Sequence, residues 1–194
     1  ATRVRQRIEA VIDAGAARGL RHDANPARWK GHLDKLLAAI PKSQRTAHHA
    51  ALPWNDLPEF MRELRQRDSI SARALEFAIL TACRTGEVLG ARWGEIDLDN
   101  ALWTMPGGRM KAKREHRVAL SGPAVALLKA LPRIEGEALV FPGAKAGKPL
   151  SSMAMLELLR GMRPGLTVHG FRSTFRDWVA DATRFSPEVA EMAL

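Results

Sequence analysis

Thr81-Ala82-Cys83-Arg84-Thr85-Gly86-Glu87-Val88-Leu89 sets an arginine and a glutamate into a run that otherwise reads as buried helix. Upstream, Leu75, Ile79 and Ala82 fall on one helical face, and Ser71 reads as the cap that opens their helix. A guanidinium in such a run is costly to bury unless an anion meets it. Glu87, one helical turn beyond Arg84, can hold one edge of that guanidinium while the other edge faces a ligand. Taken alone, a plain internal Arg84–Glu87 ion pair is the simpler account.

Helical spacing also precedes this stretch, at Leu57, Met61 and Leu64. After it the pattern changes. Ile96 and Leu98, then Leu102 to Met105, then Arg117 to Leu120 are short β-rich runs separated by Asp99-Asn100 and Gly107-Gly108, which predicts a small antiparallel sheet. Helical signals return from Ser121 to Leu131, from Ser151 to Met162, from about Gly170 to Thr183, and after Ser186-Pro187. The predicted fold class is mainly α with a small antiparallel β-sheet (α+β).

Toward the start, Val4, Ile8, Val11 and Ile12 predict an amphipathic helix closing near Gly15 and Gly19. Asn25-Pro26 then opens a second short helix carrying Trp29, Leu33, Leu36, Leu37 and Ile40, and the polar stretch from Pro41 to His49 reads as a linker. The expected division is residues 1–24 as a first helix, 25–50 as short helix and linker, and 51–194 as the main domain, with the boundary near residues 42–50.

The 194 residues, 46% hydrophobic, suffice for one good core. Thirty Lys and Arg against 21 Asp and Glu give a formal charge of +9, which favours an acidic partner or a solvated arginine-rich surface. Cys83 is the single cysteine, so an internal disulfide or a cysteine-rich zinc site is excluded, and a buried, inert thiol is expected. No apolar stretch approaches the roughly 18 uncharged residues of a membrane span, and no signal peptide is legible, so a soluble intracellular protein is expected. The chain opens on Ala1 and stops at Leu194 inside a helical pattern, and so reads as cut at both ends.

Two more stretches carry chemistry. In His169-Gly170-Phe171-Arg172 the i, i+3 spacing puts imidazole and guanidinium on one face of a helix start, where backbone donors and the helix dipole are expected to add to an anion site. Arg109-Met110-Lys111-Ala112-Lys113-Arg114-Glu115-His116-Arg117-Val118 is a basic tip between two predicted strands, suited either to a DNA groove or to a solvated turn that discourages edge pairing. Neither is specific alone.

In this order and setting, the three stretches resemble the tyrosine recombinases, and among them the prophage integrases that insert near tRNA genes. The resemblance runs from about Ala51 to Leu194 through T-A-C-R-T-G-E-V, R-M-K-A-K-R-E-H-R-V-A-L-S and H-G-F-R-S-T-F-R. It implies that Arg84 and Arg172 grip non-bridging oxygens of a scissile phosphate, that Lys111 is the hairpin lysine and general acid, and that His169 is the histidine of H-x-x-R. Glu87 then orients Arg84, while Arg109, Lys113, Arg114 and Arg176 contact DNA. The four catalytic side chains should converge on one concave basic surface. Double-stranded DNA at attachment sites is the implied partner, with a tetrameric synaptic complex for the full-length protein. The implied setting is the cytoplasm of a bacterium, with a bacterial or prophage gene. Thr2 to Gly19 would be the tail of a core-binding domain. The family also uses a further His or Trp and then a tyrosine. The chain has no tyrosine, so the nucleophile is expected outside it and this piece alone is expected not to cleave.

The chemistry suits the residues. Attack of a phenolate on a phosphodiester builds charge on the phosphoryl oxygens, which two guanidiniums can stabilise without a metal. A lysine beside the leaving 5′ oxygen can protonate it. The phosphotyrosine bond conserves energy for rejoining, so no nucleotide or other cofactor is expected, in keeping with the lack of a G-x-x-x-x-G-K-[ST] loop or an H-E-x-x-H pair. Type IB topoisomerase-like relaxation uses the same groups, and a non-catalytic basic helical DNA-binding module is the alternative of another class.

Overall fold

A computed structural model of the chain describes residues 2–37, 50–110, 113–145 and 147–194. It divides into two compact units, Ala1–His48 and His49–Leu194.

In the first unit, α1 (Thr2–Ala17) stops at Gly19, whose φ of +71° lets the Leu20 N–H reach back to the Gly15 carbonyl at 3.0 Å. Buried Asn25 then ties the returning chain to α1. Its Nδ2 donates to the Glu9 carbonyl and to Asp13 Oδ1, both at 2.8 Å, and its Oδ1 accepts from the Ala27 N–H at 2.9 Å. The helix expected from Asn25-Pro26 onward is not regular. Trp29–Leu33 is a wide turn with Lys30 extended and Gly31 at φ +80°, followed by one helical turn, α2 (Asp34–Leu36). A left-handed glycine breaks the α-helical hydrogen-bond ladder there. The proposed linker Pro41–His49, and Ile40, lie outside the described residues.

The second unit is built around α4 (Ile70–Thr81). Ser69, extended at φ −152°, caps it by accepting from the Ala72 N–H at 3.1 Å. The cap is therefore Ser69, not Ser71, which already lies in the first helical turn. Ala72, Ala74, Leu75, Phe77 and Ala78 are all buried, leaving α4 almost no wet face. α3 (Leu57–Arg65), α5 (Thr85–Leu89), α6 (Gly122–Ala130) and α7 (Ala154–Met162) pack around it.

The sheet is antiparallel in the order β1 (Ile96–Asp97), β2 (Leu102–Met105), β3 (His116–Ala119), with Trp103 opposite Val118 and Met105 opposite His116. Period-two alternation sends Trp103 and Met105 into the core. The Phe77 ring lies 5.3 Å from Trp103 and 5.5 Å from Phe141, so this inner face and the segment at Phe141 are each fixed to α4 by an aromatic pair worth about 1 kcal/mol beyond the area it buries. α8 (Gly170–Ala182) docks through Phe171 on Phe60, with centroids 5.4 Å apart, and α9 (Pro187–Met192) packs on α8.

Candidate active site

The central helix does not run on through the arginine. α4 ends at Thr81, whose hydroxyl donates to the Phe77 carbonyl at 2.7 Å, and Ala82 turns left-handed at φ +50°. Arg84 is then extended (φ −72°, ψ 147°) and opens the separate helix α5. Arg84 thus lies outside any helix interior, with its side chain 48% exposed. A left-handed alanine costs about 1–2 kcal/mol, and the chain adopts it here at the junction that presents Arg84.

Glu87 holds that junction closed. Its Oε2 accepts from the Arg84 backbone N–H at 2.8 Å and its Oε1 from Arg84 Nη1 at 3.0 Å. One carboxylate therefore fixes both backbone and side chain of the same arginine, and among the described residues the outer edge of the guanidinium has no protein partner.

Arg172 reaches the same place from α8. Its Nη1 donates to the carbonyl of Ala82 at 2.6 Å and its Nη2 to the main-chain oxygen of Leu194, the last residue of the sequence, at 2.6 Å. The left-handed turn at Ala82 and the aim of Arg172 are thus parts of one arrangement. The neutral peptide carbonyl of Ala82 orients the guanidinium without cancelling its charge. Burial, and next the positive charge of Arg84, push the Arg172 pKa below its usual value, while Glu87 opposes this. Two cations that feel each other across a half-buried site favour an anion between them.

Cys83, between the two arginine anchors, is buried, and its thiol pKa is pushed up to about 11, chiefly by burial and in part by the nearby Glu87 carboxylate. It is a packed thiol at the floor of the site.

His169 is exposed and immediately precedes the first turn of α8. Its backbone is already helical (φ −65°, ψ −29°), and the turn before it takes the nearby donors. Gly170 N–H bonds to the Thr167 carbonyl at 2.9 Å and to its hydroxyl at 3.1 Å, Phe171 N–H to Val168, and Arg172 N–H to His169. The expectation of free backbone donors for an anion is therefore corrected: the Thr167 turn satisfies them.

The basic connection between β2 and β3 is partly described. Lys111 and Ala112 lie outside the described residues. Lys113 and Arg114 are exposed, and Lys113 is left-handed at φ +53°. Gly107 faces the Lys113 carbonyl so closely that a Cβ would sit 2.9 Å from it. Arg109 is turned inward, in an ion pair with Glu95 and with Nη2 on the Glu87 carbonyl at 2.9 Å. Arg176, on α8, is ion-paired to Glu191 of α9.

Reading by residue type overlooked Thr174 and Glu95. Buried Thr174 donates from Oγ1 to the Leu52 carbonyl at 2.6 Å and so anchors α8 to the chain that precedes α3. Its place within H-G-F-R-S-T-F-R was visible, its partner 122 residues away was not.

A mainly helical domain with a three-stranded edge sheet, and two arginines drawn to one turn at the end of its central helix, has the catalytic-domain fold of the tyrosine recombinases. The structure aligns with a lambda integrase dimer bound to a COC′ core site at TM-score 0.64 and 16% identity, over 98% of this chain and 69% of that one. It aligns with the Tn1549 transposon integrase in complex with transposon right end DNA at TM-score 0.62 and 13% identity, over 97% and 68%. The chain belongs to the phage integrase family, which it matches over residues 51–192. It is 39% identical over 157 residues to the prophage integrase IntZ of Escherichia coli (strain K12), covering 79% of this chain and 39% of that protein. It is 32% identical over 214 residues to the integrase of Enterobacteria phage P4, covering 100% and 47%. The chain therefore spans less than half the length of these curated relatives.

Proposed function

We propose that this chain is the catalytic part of a site-specific recombinase that cuts and rejoins duplex DNA at prophage attachment sites through a 3′-phosphotyrosine, the tyrosine coming from outside these 194 residues. The observation that carries the reading is the meeting of Arg84 and Arg172 at the Ala82–Cys83 turn, one braced by a carboxylate and the other by the Ala82 carbonyl. In this reading the outer edge of Arg84 and the charge of Arg172 take the non-bridging oxygens of the scissile phosphate, where charge grows as the phenolate attacks. In the same reading His169, exposed at the start of α8, donates to the phosphate. Lys111 protonates the departing 5′ oxygen. Exposed Lys113 and Arg114 contact the DNA backbone, and Arg176 joins them by exchanging Glu191 for phosphate.

The family membership and a net charge of +9 support DNA as the partner. A tetrameric assembly is proposed by analogy with a structural neighbour, a lambda integrase tetramer bound to a Holliday junction. Among the described residues no helix is long and apolar enough to cross a membrane. The proposed site of action is the cytoplasm of a bacterial host.

The test is covalent trapping on nicked attachment-site DNA, using a protein that joins this chain to a nucleophilic tyrosine. Adduct should form, and Arg84→Ala and Arg172→Ala should each abolish it while still binding DNA. This chain alone should give none. Unchanged trapping by Arg84→Ala would refute the assignment.

A further inference from the structure

Arg109 begins the basic connection, yet its guanidinium points into the protein and is 25% exposed. The surroundings are shaped to it. Nη1 pairs with Glu95, a carboxylate whose second oxygen accepts from Trp103 Nε1 at 3.1 Å and from the Arg92 N–H at 3.3 Å. Nη2 donates to the Glu87 carbonyl at 2.9 Å. Gly90 makes room, because a Cβ there would lie 2.9 Å from Arg109 Nη2 and 3.2 Å from its Cζ. Trp103 is wholly buried between the sheet and α4, so Glu95 is itself anchored in the core.

A line of bonds then runs from the core to the site: Trp103 to Glu95, Glu95 to Arg109, Arg109 to the backbone of Glu87, and the Glu87 carboxylate to Arg84. α5 has only five residues and little ladder of its own, so a donor on the Glu87 carbonyl sets where the carboxylate of that residue stands.

We propose, on the recombinase reading of this chain, that Arg109 is a positioning residue that sets Arg84 through Glu87, and is not a contact to DNA. Only a forked, two-nitrogen donor spans the Glu95 carboxylate and the Glu87 carbonyl at once. A lysine reaches one or the other.

The experiment uses the protein joined to its tyrosine and compares Arg109→Ala, Arg109→Lys and Glu95→Gln. Thermal melts identify the temperature at which each is fully folded. Single-turnover cleavage is read at saturating DNA, and affinity is read across a salt series. Arg109→Ala should lower the cleavage rate on the order of 10²-fold, with affinity and salt slope little changed, because a misplaced clamp loses chemistry and not charge contacts. Arg109→Lys should recover part of the rate. Glu95→Gln should lose rate as well. In an Arg84→Lys background, where the clamp is already displaced, Arg109→Ala should cost less than about 3-fold more, a coupling that general loosening of the fold would not show.

Opposite results overturn the proposal. A DNA contact would weaken binding, reduce the salt slope by about one, leave the saturated rate intact, and let Glu95→Gln bind more tightly. Equal losses in both backgrounds would leave only a stability role. No cleavage by the unsubstituted protein would remove the recombinase reading and this one together, whereas normal cleavage by Arg109→Ala removes this one alone.

Discussion

Gly170 lies between His169 and Arg172, and its substitution measures how tightly α8 is seated. A Cβ at Gly170 would fall 2.2 Å from the Ala50 carbonyl oxygen, 3.1 Å from its carbon and 3.2 Å from Ala51 Cα. All three obstacles are backbone, so no side chain can swing aside, and ordinary contact requires a separation of more than an ångström beyond the first value. Either α8 or the chain at residues 50–52 must withdraw. That withdrawal strains the buried Thr174–Leu52 hydrogen bond, 2.6 Å long and one turn further along the helix. Overpacking costs about 1–3 kcal/mol and a lost buried hydrogen bond about 1–3 kcal/mol, while alanine returns up to about 1 kcal/mol of helix propensity, so Gly170→Ala should destabilise by about 3 kcal/mol. For a domain of this size that is a fall in Tm of about 6–12 °C. Circular dichroism melts and urea titrations measure it. Thr174→Val, which removes the bond without the clash, should cost about 1–2 kcal/mol. A Gly170→Ala protein melting within about 2 °C of the unsubstituted one would show that α8 is not seated against residues 50–52 as the structure has it.

Further outcomes follow from the same contacts. Cys83, with its thiol pushed up to about 11 by burial, should react with a thiol reagent at pH 8 far more slowly in the folded protein than in urea; equal rates would mean that the floor of the site is open. The Arg163 guanidinium, bidentate on Glu63 at 2.7 and 2.9 Å, holds the Glu63 carboxyl below its usual pKa. A depressed folded pKa adds stability above the unfolded value and loses it as pH falls through the folded one. The stability gap between the unsubstituted protein and Arg163→Ala should therefore narrow on acidification below the ordinary glutamate range; a gap constant with pH would show that the pair contributes no linkage. Lys111→Ala, in a protein carrying the tyrosine, should fail to cut ordinary DNA but recover on DNA whose bridging 5′ oxygen is sulfur, since a thiolate leaves without a proton. Arg84→Ala should stay poor on both, and sulfur rescuing neither or both would demote Lys111 to a backbone contact.

Much of the fold was legible because it rests on local periodicity. Leu57, Met61 and Leu64 repeat at helical spacing, and Trp103 and Met105 alternate at strand spacing, so residue order alone specifies which face is buried. The Arg84–Glu87 pair was legible for the same reason, as a three-residue interval between opposite charges in an apolar run. What carried it wrong was the assumption that the run is one helix: a left-handed Ala82 has no composition signal, since the turn is stabilised by a hydrogen bond from Arg172, 90 residues away. Ser69 and Ser71 are equally good caps by type, and only the backbone angle separates them.

By itself, then, the sequence determined most helices of the second unit, the presence of a small antiparallel sheet and which residue types stand close enough along the chain to serve one anion. Tertiary structure alone decided which of the basic side chains face inward. Arg109 and Lys113 lie four residues apart in one basic run, yet one is folded onto Glu95 and Glu87 and the other stands in solvent. A guanidinium goes where it finds both a carboxylate and a carbonyl at the right separation, and that separation exists only after β1, β2 and α5 have packed.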